Sequence, residues 1–260
     1  GRVGTAIVVP GPGLLNASAA IATGYALNAQ MLCVVGQIPS ALIGKGTGQL
    51  HELPDQLEIA QGLTKWAARM DTPGDAPRTM AEAFRQLHTG RPRPVEVEMA
   101  LDIMKARADI SSIDAPDFYE IAEPDPDRIA AAAKMLGEAK NPLIFAGGGA
   151  IDAGADLLAL AELLQAPVVM SRSALGAIDS RHPLALTPPH GHKLWKDADV
   201  VLGVGTRLVP MIPGWGIDDG LKIVRLDIDA VEITRSNTPE IAIQADAALG
   251  LAALCAAVPG

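Results

Sequence analysis

His51 and Glu52 close a glycine-rich stretch, Gly46-Thr47-Gly48-Gln49-Leu50-His51-Glu52. A histidine beside a carboxylate can act as acid, base or anchor for a substrate anion; the alternative is an exposed loop histidine. Gly147-Gly148-Gly149 directly follows an apolar run, where glycines let backbone N–H groups approach phosphates. Arg207 follows Gly205, and Asp227 and Asp229 follow the run Leu221–Leu226. An arginine fork suits a phosphate or carboxylate, and an acid at a strand end suits a ribose hydroxyl. With Gly148 and Gly149, these three residues could serve a nucleotide. The alternatives are glycines that only make tight turns and an internal Arg–Asp pair. The nicotinamide fingerprint is broken at both glycine clusters. Counting from Gly147, its sixth position is Asp152; counting from Gly203, it is Leu208. His190 and His192 flank Gly191 with no identifiable third ligand, so they read as a surface loop and no metal site is expected. No GxxxxGK[ST] loop, GxSxG elbow, HExxH pair or EF-hand loop occurs. Cys33 lies inside an apolar run and reads as an inert core residue.

The elements that position these residues alternate. Thr5–Pro10 reads as a buried strand, Leu14–Asn28 as a helix and Met31–Val35 as a second strand. Ile43–Gln49 is rich in glycine and reads as mobile. A short helix over Pro54–Gly62 leads to a strand at Lys65–Met70. The apolar period of Met80, Ala83, Phe84 and Leu87 predicts a helix over Pro77–His88. Pro94–Met99 alternates Val with Glu, which predicts one wet face or an edge position. A second set follows: helix Asp127–Ala139, strand Pro142–Ala146, helix Ala153–Leu164 and strand Pro167–Met170. After an irregular stretch come strands Ala198–Val204 and Leu221–Ile228 and a closing helix, Ala245–Ala257. Short apolar strands alternating with helices predict the α/β class, with parallel sheets covered by helices on both faces. Two such units are expected, 1–105 and 126–260. Between them, 106–125 has no regular period, contains Glu123-Pro124-Asp125-Pro126 and reads as a linker.

Composition narrows the partners. The chain has 260 residues and a net charge of −9. An acidic chain without a basic cluster argues against nucleic acid and against anionic membrane surfaces. No apolar run is long enough for a transmembrane helix. The two cysteines, Cys33 and Cys255, form no disulfide framework, and a cytoplasmic location is expected. The start, without Met and directly on a strand-like run, suggests part of a longer protein.

Four stretches carry a resemblance. They are Val9-Pro10-Gly11-Pro12-Gly13-Leu14-Leu15-Asn16, Val34-Val35-Gly36-Gln37-Ile38-Pro39, Gly46–Glu52, and Gly90-Arg91-Pro92-Arg93-Pro94-Val95. In this order and spacing they resemble the GPG-x-x-N turn, GQ-x-P strand end, GT-x-x-FQE loop and GRPGPV run of acetolactate synthase-like thiamine diphosphate enzymes. The second set, from Asn141-Pro142 to Asp227-Ile228-Asp229, is similar to the central domain of that family.

The resemblance implies thiamine diphosphate with Mg as cofactor of the full-length protein. It also implies a 2-oxo acid substrate, decarboxylated or joined to an acceptor. Gly11, Pro12 and Asn16 resemble residues lining the pyrimidine pocket, and Gln37 resembles one near the reactive face of the cofactor. His51 stands where the family more often has Gln. The family's activating glutamate precedes the GPG turn, and its diphosphate-binding third domain follows the central one. The expectation is therefore that the isolated chain is inactive. Partners would be the missing C-terminal domain and a second subunit, in a homo-oligomer. The central domain of some members holds FAD or ADP, through positions matching Gly148, Gly149, Arg207, Asp227 and Asp229. Flavin-binding members carry an RFDDR-like run; here Arg207-Leu208-Val209-Pro210-Met211 lacks its aspartates. Competing readings are a Rossmann-type nucleotide-binding oxidoreductase and a non-catalytic nucleotide-binding or assembly module.

Overall fold

The computed structural model describes residues 2–110, 123–208, 214–217 and 220–259. The chain divides into two compact units, Gly1–Glu120 and Ile121–Gly260. Most of the stretch read as a linker, 111–122, lies outside the described residues, as do Val209–Met211 of the flavin comparison.

The first unit holds a four-stranded sheet in the order β1-β2-β4-β3. Its strands are β1 (Gly4–Val8), β2 (Met31–Gln37), β3 (Trp66–Met70) and β4 (Val95–Ala100), and every pairing is parallel. Helices α1 (Pro12–Leu27) and α2 (Gln56–Leu63) cover one face through Leu14, Ile21 and Ala60, packed with Cys33, Val35 and Ala67. Helix α3 (Ala76–His88) covers the other through Ala83 and Leu87, packed with Leu32, Val95 and Val97. A short helix, α4 (Leu101–Lys105), follows β4.

Two expectations fail in this unit. The Val–Glu alternation of β4 does not mark a wet face or an edge. The strand lies between β2 and β3, and Glu96 and Glu98 are fully buried. A parallel strand under helices on both faces has no solvated side. Conversely, the run read as a buried strand forms β1 at the sheet edge, and Ile7 is 80% exposed. Among the described residues β1 pairs only with β2.

The second unit holds a six-stranded sheet in the order β10-β9-β8-β5-β6-β7. The strands are β5 (Pro142–Ala146), β6 (Val168–Met170), β7 (Ala185–Leu186), β8 (Val200–Val204), β9 (Lys222–Asp227) and β10 (Ile241–Gln244). All pairings are again parallel. Helices α5 (Pro126–Gly137) and α6 (Gly154–Leu164) and the last helix (Ala247–Ala257) close one face over Ile144, Leu202 and Val224. On the other face Phe145, Val201 and Ile223 pack with Trp195 and Trp215. His190 and His192, read as a loop, lie on a helix, α7 (Pro188–Trp195). Pro188 and Pro189 open that helix, since the first helical positions have no hydrogen-bonded N–H to lose. His192 stacks on Trp215 at 5.0 Å between ring centroids.

Strands run outward in opposite directions from the β5–β8 pair, so the strand order reverses there. Open parallel sheets take ligands in the crevice outside such a reversal.

Candidate functional site

In the first unit, the GPG turn sits at the carboxyl end of β1. Gly11 has φ 58° and ψ −107° and precedes α1, with Pro12 at its first position. A Cβ on Gly11 would lie 2.4 Å from the carbonyl oxygen of His51. The turn and the His51 loop are therefore in backbone contact, and only glycine permits it. At the end of β2, a Cβ on Gly36 would lie 3.0 Å from Pro10 Cδ.

Behind the turn lies a buried polar cluster. Asp55 caps α2 by accepting from the Glu58 N–H at 2.9 Å, which places Gln56 in the first turn. Gln56 Oε1 accepts from the Gly11 N–H at 2.7 Å. Its Nε2 donates to the Gly36 carbonyl at 3.0 Å and to Glu98 Oε2 at 2.7 Å. Glu98 Oε1 accepts from Gln37 Nε2 at 3.3 Å and faces Arg69 Nη1 at 3.5 Å. Gln37 Oε1 accepts from the Ile38 N–H at 2.7 Å. Glu98, Gln56 and Gln37 are all buried. So Gly11, Gln37 and His51, singled out in the sequence, come together here. Pro12 and Asn16 are exposed on α1 beside them.

Gln56, Glu98 and Arg69 were not singled out. The one available signal was a pair of glutamates in a strand of an expected parallel sheet.

The glycine-rich loop read as mobile is anchored by Glu52. Its carboxylate accepts from the N–H groups of Gly46 at 2.9 Å, Thr47 at 3.3 Å and Gln49 at 2.9 Å. Partial desolvation pushes the Glu52 carboxyl upward, but the backbone hydrogen bonds from Gln49, Gly48, Thr47 and Gly46 outweigh it and hold the group below its ordinary value. Glu52 N–H donates to the Gln49 carbonyl at 2.9 Å, closing a turn in which His51 takes φ 72°. The contribution of Glu52 is present above the ordinary carboxylate value and is lost as pH falls through the lowered one. Glu52→Gln should therefore speed amide exchange at residues 46–49 at neutral pH. In the unaltered protein the same loosening should come only in acid. Equal exchange in both proteins at neutral pH would refute the anchor.

In the second unit, Gly148, Gly149 and Arg207 lie at the carboxyl ends of β5 and β8, where the strand order reverses. The Gly149 N–H donates to the Gly205 carbonyl at 3.1 Å. A Cβ on Gly147 would lie 2.2 Å from that oxygen, so these glycines let the two loops pass each other. Arg207 pairs with Glu232 at 3.7 Å. Asp229 accepts from the N–H groups of Val231 and Glu232 at 2.9 and 3.4 Å, capping a helix, α8 (Ala230–Arg235). Asp227 Oδ1 accepts from the Asp229 N–H at 3.0 Å.

Among the described residues, no group of three or more His, Cys, Asp and Glu is placed to hold a metal. No helix among them is long and apolar enough to cross a membrane.

The N-terminal TPP-binding domain of thiamine pyrophosphate enzymes matches residues 1–59, and the central domain of those enzymes matches residues 129–254. The chain belongs to the thiamine pyrophosphate enzyme family. Thiamine diphosphate, usually with Mg, is the cofactor of that family. An acetolactate synthase large subunit from Corynebacterium glutamicum is 33% identical over 268 residues, covering 98% of this chain and 42% of that protein. A probable 2-ketoarginine decarboxylase from Pseudomonas aeruginosa is 32% identical over 276 residues, covering 100% of this chain and 47% of its own length. The crystal structure of benzoylformate decarboxylase from Polynucleobacter necessarius superposes with a TM-score of 0.84 at 20% identity, over 99% of this chain and 50% of that one. The α/β fold expected from the sequence is thus that of a thiamine pyrophosphate enzyme. The chain spans less than half the length of these two curated relatives.

Proposed function

We propose that this chain supplies the pyrimidine-binding and central parts of a thiamine diphosphate-dependent enzyme that decarboxylates a 2-oxo acid or joins it to an acceptor. The observation that carries this reading is the contact of the Gly11 turn with the His51 loop, above buried carboxamides, in a chain of this family. Bound thiamine diphosphate would supply an electron sink for the carbanion left when the substrate loses carbon dioxide or is cleaved.

The residues present suit one end of that cofactor. The Gly11 turn is pressed against the His51 backbone so closely that no Cβ would fit between them; in this reading its outer rim, Pro12 and Asn16, meets a flat, hydrogen-bonding heteroaromatic ring. Gln37 is fixed from behind by Glu98 and Ile38 and positions the floor. His51 is partly buried and could donate to the substrate carboxylate or oxyanion, or carry a proton. The diphosphate and its metal need oxygen ligands of a kind that the described residues do not group together. A further domain and a second subunit are the proposed source, and the 260-residue chain alone is expected not to turn over.

A second ligand in the central unit is favoured by one observation, the reversal of strand order beside Gly148, Gly149 and Arg207. ADP or FAD would suit that crevice, with Asp227 and Asp229 at its edge.

The test is turnover of a panel of 2-oxo acids by the native protein, with and without thiamine diphosphate and Mg. Carbon dioxide release that requires both is expected, and flavin absorbance of the purified protein reports on the second ligand. Failure to bind thiamine diphosphate would overturn the reading.

A further inference from the structure

Glu98 is a carboxylate side chain on an inner strand of a parallel sheet, β4, with 0% exposure. Burying a charge without partners costs far more than a fold can sustain, so the groups that meet it are held firmly. Those groups arrive from separate parts of the first unit. Gln37 stands at the end of β2, Arg69 lies in β3, and Gln56 opens α2. Gln56 carries the hold on to the Gly11 turn, accepting the Gly11 N–H at 2.7 Å while its amide nitrogen donates to Glu98 at 2.7 Å and to the Gly36 carbonyl at 3.0 Å. Each polar atom of the Gln56 side chain is thereby committed, which fixes the amide orientation: its oxygen must face Gly11.

We infer that Glu98 and Gln56 are positioning residues that lock the Gly11 turn and the Gln37 side chain in the geometry that receives the cofactor ring. This rests on the function proposed above. Neither residue needs to touch a ligand; both act through the backbone N–H of Gly11 and the amide of Gln37. Gly11 adopts φ 58° and ψ −107°, one of several backbone conformations open to glycine, so its own backbone preference does not select it. The Gln56–Gly11 bond is the hold on its N–H, and Glu98 keeps Gln56 from turning its amide over.

The consequence is coupling. A hydrogen bond to a charged group contributes enough that its loss changes a local equilibrium about 10- to 100-fold. Gln56→Ala removes the acceptor of the Gly11 N–H. Glu98→Gln keeps the size of the side chain, removes the charge and weakens its hold on Gln56. The pair should not be additive, because both act along one chain of hydrogen bonds.

The experiment measures amide hydrogen exchange at Gly11 in the native protein, together with the thiamine diphosphate dissociation constant, for the unaltered protein, Gln56→Ala, Glu98→Gln and the double variant. Exchange at Gly11 is expected to rise about 10- to 100-fold in each single variant and no further in the double. The dissociation constant should rise by a similar factor, and by more than kcat at saturating cofactor falls. Gln56→Met is the substitute should Gln56→Ala unfold; it fills the space and removes the acceptor. Unchanged exchange at Gly11, or additive effects in the double variant, would overturn the inference. If the unaltered protein fails to bind thiamine diphosphate, the functional reading falls, while exchange at Gly11 still decides the positioning chain.

Discussion

Glu96→Leu should make the protein more stable, by about 3 kcal/mol at pH 7. Glu96 is the second residue of β4, beside Cys33 of β2 and Ala67 of β3. It is fully buried, and neither carboxylate oxygen has a hydrogen-bond partner. Burial, and then the charge of Glu98, push its carboxyl up to about 9. In the unfolded chain the group ionises near the usual value of about 4.3. Between those values the unfolded state releases a proton that the folded state keeps. Stability from this site is therefore highest in acid and falls as pH rises, by up to about 1.4 kcal/mol per pH unit, until the folded group itself ionises. Leucine has similar bulk, removes the proton linkage and joins Cys33, Val35 and Ala67 in the apolar layer under α1 and α2. Glu96→Gln removes the linkage as well but leaves a buried amide without partners, so it should gain less. Urea unfolding at pH 5 and pH 8 tests this. The leucine variant should gain much more at pH 8 than at pH 5, and an equal gain at both would sink the argument. Cys33 shares the site; burial and then the Glu96 charge raise its thiol to about 11, consistent with the inert core residue expected from the sequence.

The same strand shows where reading from sequence ends. Apolar period and turn residues place most elements, because strands and helices of a parallel sheet follow local pattern. Pro142–Ala146, for example, is a strand with the expected bounds. Whether Glu96 and Glu98 face water is set by helices that arrive from elsewhere in the chain. The partners of Glu98 are 61, 42 and 29 residues away, so no window of the sequence contains them. The edge position of β1 is hidden for the same reason: an apolar run shows that a strand needs cover, not where its neighbours lie. Helix α7 lies in a stretch without a regular apolar period, and its two opening prolines are compatible with the first turn of a helix. At the site, the family resemblance marks Gly11 and Gln37, and the glycine-rich loop marks His51. Gln56 escapes because its role depends on where the Asp55 cap starts α2 and on which carboxylate lies under it.

Gly11→Ala should have the largest effect on the site. Two penalties add there. The backbone at φ 58° and ψ −107° is one that L side chains avoid, and a new Cβ would lie 2.4 Å from the carbonyl oxygen of His51 and 3.2 Å from its Cα. Backbone atoms cannot swing aside as the end of a long side chain can, so the turn and the His51 loop must separate. Strain and overpacking together are expected to cost about 2–4 kcal/mol. Separation also draws the Gly11 N–H away from Gln56, which loosens the polar cluster behind it. Gly44→Ala is the matched control. Gly44 also has a positive φ, 72°, but a Cβ there meets nothing within 4 Å. That variant carries the backbone term alone, about 1–2 kcal/mol, and leaves the contact between turn and loop intact. Urea unfolding and the thiamine diphosphate dissociation constant of the native protein separate the two cases. Gly11→Ala should lose more stability and weaken cofactor binding at least tenfold, about 1.4 kcal/mol, whereas Gly44→Ala should leave binding near that of the unaltered protein. If the two variants behave alike, steric contact at Gly11 is not what shapes the pocket.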